Sequence, residues 1–340
     1  MTKRFLKRTI LMLVLVSIST FAANNPPLIQ TGTTPLPDIT GGDFDHFAVD
    51  LGHERLYVVS EVDASIEVFR LATGEHLQSV RGIVKSPRKI AFLEDRNQLI
   101  VADAGSNSCK FLDASDLHVV QSVPLEPGPD AGVYSPKARI FYVGNGGRKA
   151  NATFSYVSLI SVDQHKVIDR IRVEASTLKT LLLDETESML FVSMRDTNQV
   201  GVLDLKQRKV KQTWTSPDLH RDSAMAYDPI NHRLFVGDRG PGKLVVLNSE
   251  NGEVVQTLSI GDMSDDMTYD DLHRRIYISG ADGVDVVAQL SSDRYKVVQH
   301  VDTLGGKTSI YVPSLSRFFV VHTKGGPAAE AGLQTFQVSN

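Results

Sequence analysis

One phrase, a polar turn followed by a β-rich run, occurs seven times along this 340-residue chain: HERLYVVS, RNQLIVAD, KARIFYVGN, ESMLFVSM, NHRLFVGD, HRRIYISG and LSRFFVVH. Each run has an apolar anchor near its start: Leu56, Leu99, Ile140, Leu190, Leu234, Ile276 and Phe318. The spacings are 43, 41, 50, 44, 42 and 42 residues. A unit of that length cannot bury its own apolar faces, so the copies must pack against one another. Each unit divides into four short runs rich in Val, Ile, Tyr and Phe. In the first unit they are FAVD, RLYVVS, SIEVFRL and HLQSV. Thr73-Gly74 and Asn251-Gly252 are hairpin turns between third and fourth runs, and no long stretch has helical periodicity. Seven units of four strands predict an all-β fold, a seven-bladed β-propeller with four-stranded blades.

The seventh unit is one strand short. It supplies SIYVP, RFFVVHT and LQTFQVS before Asn340. The missing text stands near the N terminus, where LIQT at Leu28 matches the VVQT at Val254 that forms a fourth strand. Residues 28–36 are therefore expected to pair with Leu333 to Val338 and complete the last blade, since an apolar edge left open at the seam would face water.

In front of that strand, Lys3, Arg4, Lys7 and Arg8 precede the apolar run Ile10 to Phe21. This has the form of a secretory signal, with cleavage expected near Ala22. Residues 1–22 are assigned to the signal peptide and 23–340 to a single propeller domain. Removing four basic and no acidic residues would take the formal charge from −4 to −8. That balance argues against bulk attraction to nucleic acid or anionic lipid. No later run is long enough to span a membrane as a helix. Cys109 is the only cysteine, so no intramolecular disulfide can form, and its apolar strand context predicts a buried thiol.

Tyr142-Val143-Gly144-Asn145 and Tyr57-Val58-Val59-Ser60 lie in the second runs, an Asp ends several first runs, and Thr-Gly or Asn-Gly turns follow third runs. With these features the chain resembles the YVTN-repeat propellers, and with its signal-like start it resembles their YncE-like branch. The resemblance covers essentially all of the chain after residue 22. It implies a secreted bacterial protein that binds a ligand, single-stranded DNA in one case. Related propellers include lactonases and redox subunits.

In a propeller the entries to the first strands and the loops after the second strands surround one mouth of the axis, where ligands bind. Counting back from the anchors places Asp45 and His46, Arg88 and Lys89, Asp130, Lys179, Asp222, Asp265 and Asp266, and Lys307 at the entries. Asp103, Arg195, Asp238, Arg239 and His322 follow the second strands. Read by blade, the signs run acidic, basic, acidic, basic, acidic, acidic, basic. Two readings stay open: the groups converge on a polar ligand, or the alternating charges pair and close the mouth. The least compensated place is the acidic cluster Asp262, Asp265 and Asp266 beside Asp45 and Asp222. A metal would be sought at Asp45, Asp222, Asp265 and Asp266, where carboxylates could hold a divalent cation.

Other motifs fall away on context. Gly237 to Lys243 fits a phosphate loop, but Leu244 stands where Ser or Thr should follow, and a strand follows instead of a helix. His53, His232 and His273 are expected to be solvated turn residues. Lys206, Arg208, Lys209 and Lys211, with Arg170, Arg172, Arg148 and Lys149, could form a basic patch, but Trp214 is the only aromatic on that hairpin for base stacking. The extra residues of the third unit, Asn145 to Tyr156, are expected to extend a loop over the mouth. The expected protein is periplasmic, monomeric and non-catalytic, binding a small polar ligand or a protein partner through the mouth. Nucleic acid is not an expected partner, and no cofactor is expected beyond a divalent cation. The alternative is a divalent-cation-dependent hydrolase of the lactonase type.

Overall fold

The computed structural model describes residues 25–325 and 327–339, so the expected signal segment lies outside the described residues. Among them, strands β1 to β28 form seven four-stranded antiparallel sheets. Blade one is β2 (Phe44–Asp50), β3 (Arg55–Ser60), β4 (Ser65–Arg70) and β5 (His76–Arg81), from axis to rim. The next five blades repeat the meander. They run from β6 (Pro87–Leu93) to β9 (Val119–Pro124), from β10 (Gly132–Ser135) to β13 (Lys166–Val173), and from β14 (Leu178–Leu183) to β17 (Lys209–Thr215). They continue from β18 (Asp222–Asp228) to β21 (Val254–Ser259) and from β22 (Asp266–Asp270) to β25 (Arg294–Val301). Each innermost strand packs on the next, and β2 packs on β26 (Thr308–Val312), so the seven blades close a ring.

The hydrophobic pattern follows from this stacking. Leu56–Ser60 and Ser65–Phe69 are buried without a break because both faces of those strands are covered, whereas β5 on the rim has no buried residue. The core is divided into seven clusters, one between each pair of neighbouring blades. Every blade thus depends on both neighbours for its burial. Cys109 is fully buried, as expected, and burial pushes its thiol far up.

The turn between first and second strands carries a left-handed residue in all seven blades: Glu54, Asn97, Arg139, Glu187, His232, Arg274 and Ser316, with φ between 48° and 55°. The core faces shift one anchor. In blade three Phe141 faces blade two as Leu99 faces blade one, while Ile140 packs toward blade four. The anchor of that blade is Phe141, not Ile140. A strand buried on both faces has no alternation to mark its phase, which is why the sequence misplaces it by one.

Strand β1 (Leu28–Leu36) pairs antiparallel with β28 (Ala331–Val338), which also pairs with β27 (Arg317–His322). The N-terminal strand therefore supplies the missing edge of blade seven. Every blade has a bulge between its third and fourth strands. In β1 the bulged residue is Thr31, and it turns the strand's faces over. Leu28 is buried against blade six and Leu36 against blade one.

The bulges also fix equivalence between blades, and the textual match proves offset by two residues. Gly32, not Gln30, occupies the place of Gln256 and Gln299. A second feature agrees. The Gln256 amide accepts the Tyr295 N–H at 2.8 Å and donates to the Tyr295 carbonyl at 3.1 Å. The Gln299 amide clamps Leu28 in the same way, at 2.8 Å in both directions. Tyr295 precedes Gln299 by four residues, as Leu28 precedes Gly32. A two-residue slip keeps every side chain on its own face, so apolar pattern alone cannot detect it.

Candidate functional site

Registered on the corrected anchors, the entries to the first strands form two levels around the axis. The upper level is Asp45, Arg88, Asp130, Lys179, Ser223, Asp265 and Lys307. The lower is His46, Lys89, Ala131, Thr180, Ala224, Asp266 and Thr308. Moving the third-blade anchor lifts Asp130 level with Asp45. The upper level encloses a cavity of about 220 Å³ lined by residues of all seven blades. Below it a channel of about 450 Å³ runs between the inner strands, with His46, Lys89, Thr180 and Asp266 at its neck.

Much of the mouth is neutralised by neighbours. Lys179 bonds Asp130 at 2.7 Å, Lys307 meets Asp43 at 2.9 Å and Asp265 at 3.9 Å, and Arg88 grips Glu61 with Asp45 at 3.7 Å. At the neck His46 lies 3.1 Å from Asp266 and 3.6 Å from Asp45. Burial pushes the Asp45 carboxyl up to about 7, with His46 opposing. Burial and Lys89 disfavour charged His46, yet Asp266 and Asp45 hold it above its ordinary value. Asp266 stays below the usual carboxylate range: burial opposes its charge, but His46 and a hydrogen bond from the Ser309 N–H favour it. Burial lowers Lys89.

Seven is an odd number, so opposite charges cannot alternate all the way round. The break falls at the neutral Ser223. There Arg195, on the loop after β15 (Met189–Met194), reaches the Ser223 hydroxyl and the Asp222 carbonyl. Arg239, after β19 (Arg233–Asp238), stands beside it and meets Asp265 at 3.6 Å. Burial, then Arg239, pulls the Arg195 guanidinium down to about 10. Arg148 joins the mouth from the long third-blade loop, as its length led us to expect. That loop closes down because Gly147 (φ 61°) lies where any Cβ would come within 2.1 Å of the Ser176 carbonyl oxygen. The Arg148 N–H then donates to the same oxygen.

The structure brings Asp45, His46, Arg88, Asp130, Lys179, Arg195, Asp265, Asp266 and Lys307 together, with Lys89 just below. Asp103, Asp222, Asp238 and His322 are buried and do not line the mouth. Asp103 accepts backbone N–H groups of Lys85 and Ser86, and Asp238 accepts that of His220. Asp63 does the same for Thr40, Asp196 for Ser176 and Thr177, and Asp262 for Gly242. These carboxylates tie the loop entering a blade to a neighbouring loop, a task that a sequence position near the mouth does not distinguish from ligand binding. Of the four carboxylates considered for a metal, Asp222 is thus elsewhere, and the other three each face a cation. Among the described residues no group of three or more His, Cys, Asp or Glu side chains is placed to hold a metal ion. Sequence reasoning missed Glu61 and Asp43, which compensate Arg88 and Lys307; Glu61 stands five residues after its anchor, as Arg195 and Arg239 do, whereas Asp43 carried no signal beyond its place in a loop flanking the mouth.

Away from the mouth, three arginines of the basic patch are paired: Arg208 with Asp169, Arg170 with Glu126, and Arg172 with Glu174. Trp214 is buried against Phe191. His53 is exposed, but the His273 side chain is only 9% exposed and lies 2.7 Å from Asp270, so it is not the solvated turn residue expected. On blade one Ser79, His76 and Glu67 cluster, but the hydroxyl and the carboxylate address the same ring nitrogen. A hydrolytic triad needs them on opposite nitrogens. Among the described residues no helix is long and apolar enough to cross a membrane. No protein family matches the chain, and no curated protein matches it significantly.

Proposed function

We propose that this chain is a secreted, periplasmic, monomeric propeller of the YncE-like, YVTN-repeat type, and that its mouth holds a small polar ligand without transforming it. The observation that carries the reading is convergence. One cavity is lined by residues of all seven blades, most of them charged, and it opens to solvent beside a loop made longer than its counterparts. Tyr142-Val143-Gly144-Asn145, the segment closest to the YVTN signature, lies in β11 (Ile140–Gly146), the second strand of its blade. A cation-dependent hydrolase is less well supported, because Asp45, Asp265 and Asp266 each already face a cationic side chain.

The test fills the neck. Thr180 lies at the junction of mouth and channel. Small polar compounds that raise the melting temperature of the mature wild-type protein are expected to have no effect on a folded Thr180→Trp variant, because ligand binding stabilises only the state that binds. Equal stabilisation of both proteins would place the ligand elsewhere.

A further inference from the structure

We infer that the mouth recognises an oxyanion, the carboxylate or phosphate group of a small ligand, with Arg195 and Arg239 as its clamp. This rests on the ligand-binding reading of the mouth and adds the chemistry of the ligand. The argument begins with an inventory of compensation. Asp43, Asp45, Glu61, Asp130, Asp265 and Asp266 each have a cationic partner within the mouth. The cations are not all so served. Arg195 has no carboxylate partner among the described residues; its bonds go to a carbonyl and a hydroxyl. Arg239 reaches Asp265 only at 3.6 Å, and its buried Nε has no hydrogen-bond partner.

Two neighbouring guanidinium groups, both largely withdrawn from water, repel each other unless an anion lies between them. The planar fork of Arg matches the two oxygens of a carboxylate or phosphate, and such charge-assisted bonds are about twice as strong as neutral ones. The break in the ring supplies the space: Ser223 stands where an alternating ring would place a charge, and Lys179 stands on the adjoining blade. A cation in the same space would face these two guanidinium groups, of which Arg195 has no carboxylate within ion-pair distance among the described residues. The chain as a whole is acidic, so the positive lining is local and is built by position, not by composition.

The experiment is calorimetric titration of inorganic phosphate, and separately of succinate, into the mature protein at pH 7 and constant ionic strength. Saturable binding of at least one is expected. Arg195→Gln is expected to weaken it by about tenfold or more, and Arg239→Gln by a similar factor. Lys209→Gln, on the rim hairpin, should bind as the wild type does. Binding of phosphate alone assigns a phosphoryl ligand, and binding of succinate alone a carboxylate. The inference is overturned if neither binds saturably, or if both arginine variants bind as the wild type. A neutral or cationic compound that stabilises wild type but not Thr180→Trp would also overturn it while leaving the mouth as the site. Oxyanion binding unchanged in Thr180→Trp would overturn both readings.

Discussion

Asp222 and Asp238 lie opposite each other on neighbouring strands, both fully buried, and three of their four carboxyl oxygens have no hydrogen-bond partner. Burial pushes Asp222 up to about 6 and Asp238, with Asp222 beside it, up to about 7. Burial does the same to Asp45 at the mouth. In each case the folded state holds its proton more tightly than the unfolded chain. Stability is therefore greatest at low pH with respect to these groups, and falls as pH rises from about 4 to about 7. Asp222→Asn removes one charge from the pair and keeps its shape. The variant should be more stable than wild type by about 2 kcal/mol at pH 8 and nearly equal to it near pH 4. Denaturant titrations at the two pH values measure this, and a variant less stable at pH 8 would show that the carboxylate is satisfied. Asp238 also marks what the sequence conceals: an Asp at the end of a second strand reads alike whether it lines a mouth or ties down a loop.

At the scale of elements, β1 was legible because the seventh unit visibly lacks a strand, and an unfilled edge has to be covered. Its register was not legible. Gln30 reads as the counterpart of Gln299, yet its amide reaches only the exposed Thr33 hydroxyl, while the Gln299 amide holds both backbone groups of Leu28. Gln299→Ala should lower stability by about 1–2 kcal/mol, and Gln30→Ala should leave it within about 0.5 kcal/mol of wild type. Unfolding midpoints of the two variants decide the matter; equal losses would support the textual alignment. The one-residue error in blade three has the same origin. Where both faces of a strand are buried, neighbouring apolar residues such as Ile140 and Phe141 are interchangeable as text.

At the scale of the whole molecule, the blade count, the closure and the location of the mouth follow from the repeat. The charge balance of the mouth does not. It depends on loops after second strands, whose lengths differ, on Glu61, which shares the repeat position of Arg195 and Arg239, and on Asp43 and Arg148, which no repeat position identifies. The sequence pointed to an acidic surplus around blade six; assembled, that surplus is taken up by Lys307, Arg239 and His46, and the charge left over is positive. An odd number of blades makes some such break unavoidable, and Ser223 fixes where it falls.

The central claim is that all seven blades meet in one binding site. Amide hydrogen exchange tests it directly, measured on the protein with and without the compound that most raises its melting temperature. The account predicts slowed exchange at the strand entries near Asp45, Arg88, Asp130, Lys179, Ser223, Asp265 and Lys307 together, and in the loop around Arg148. Protection confined to one blade, or to the rim strands, would contradict it.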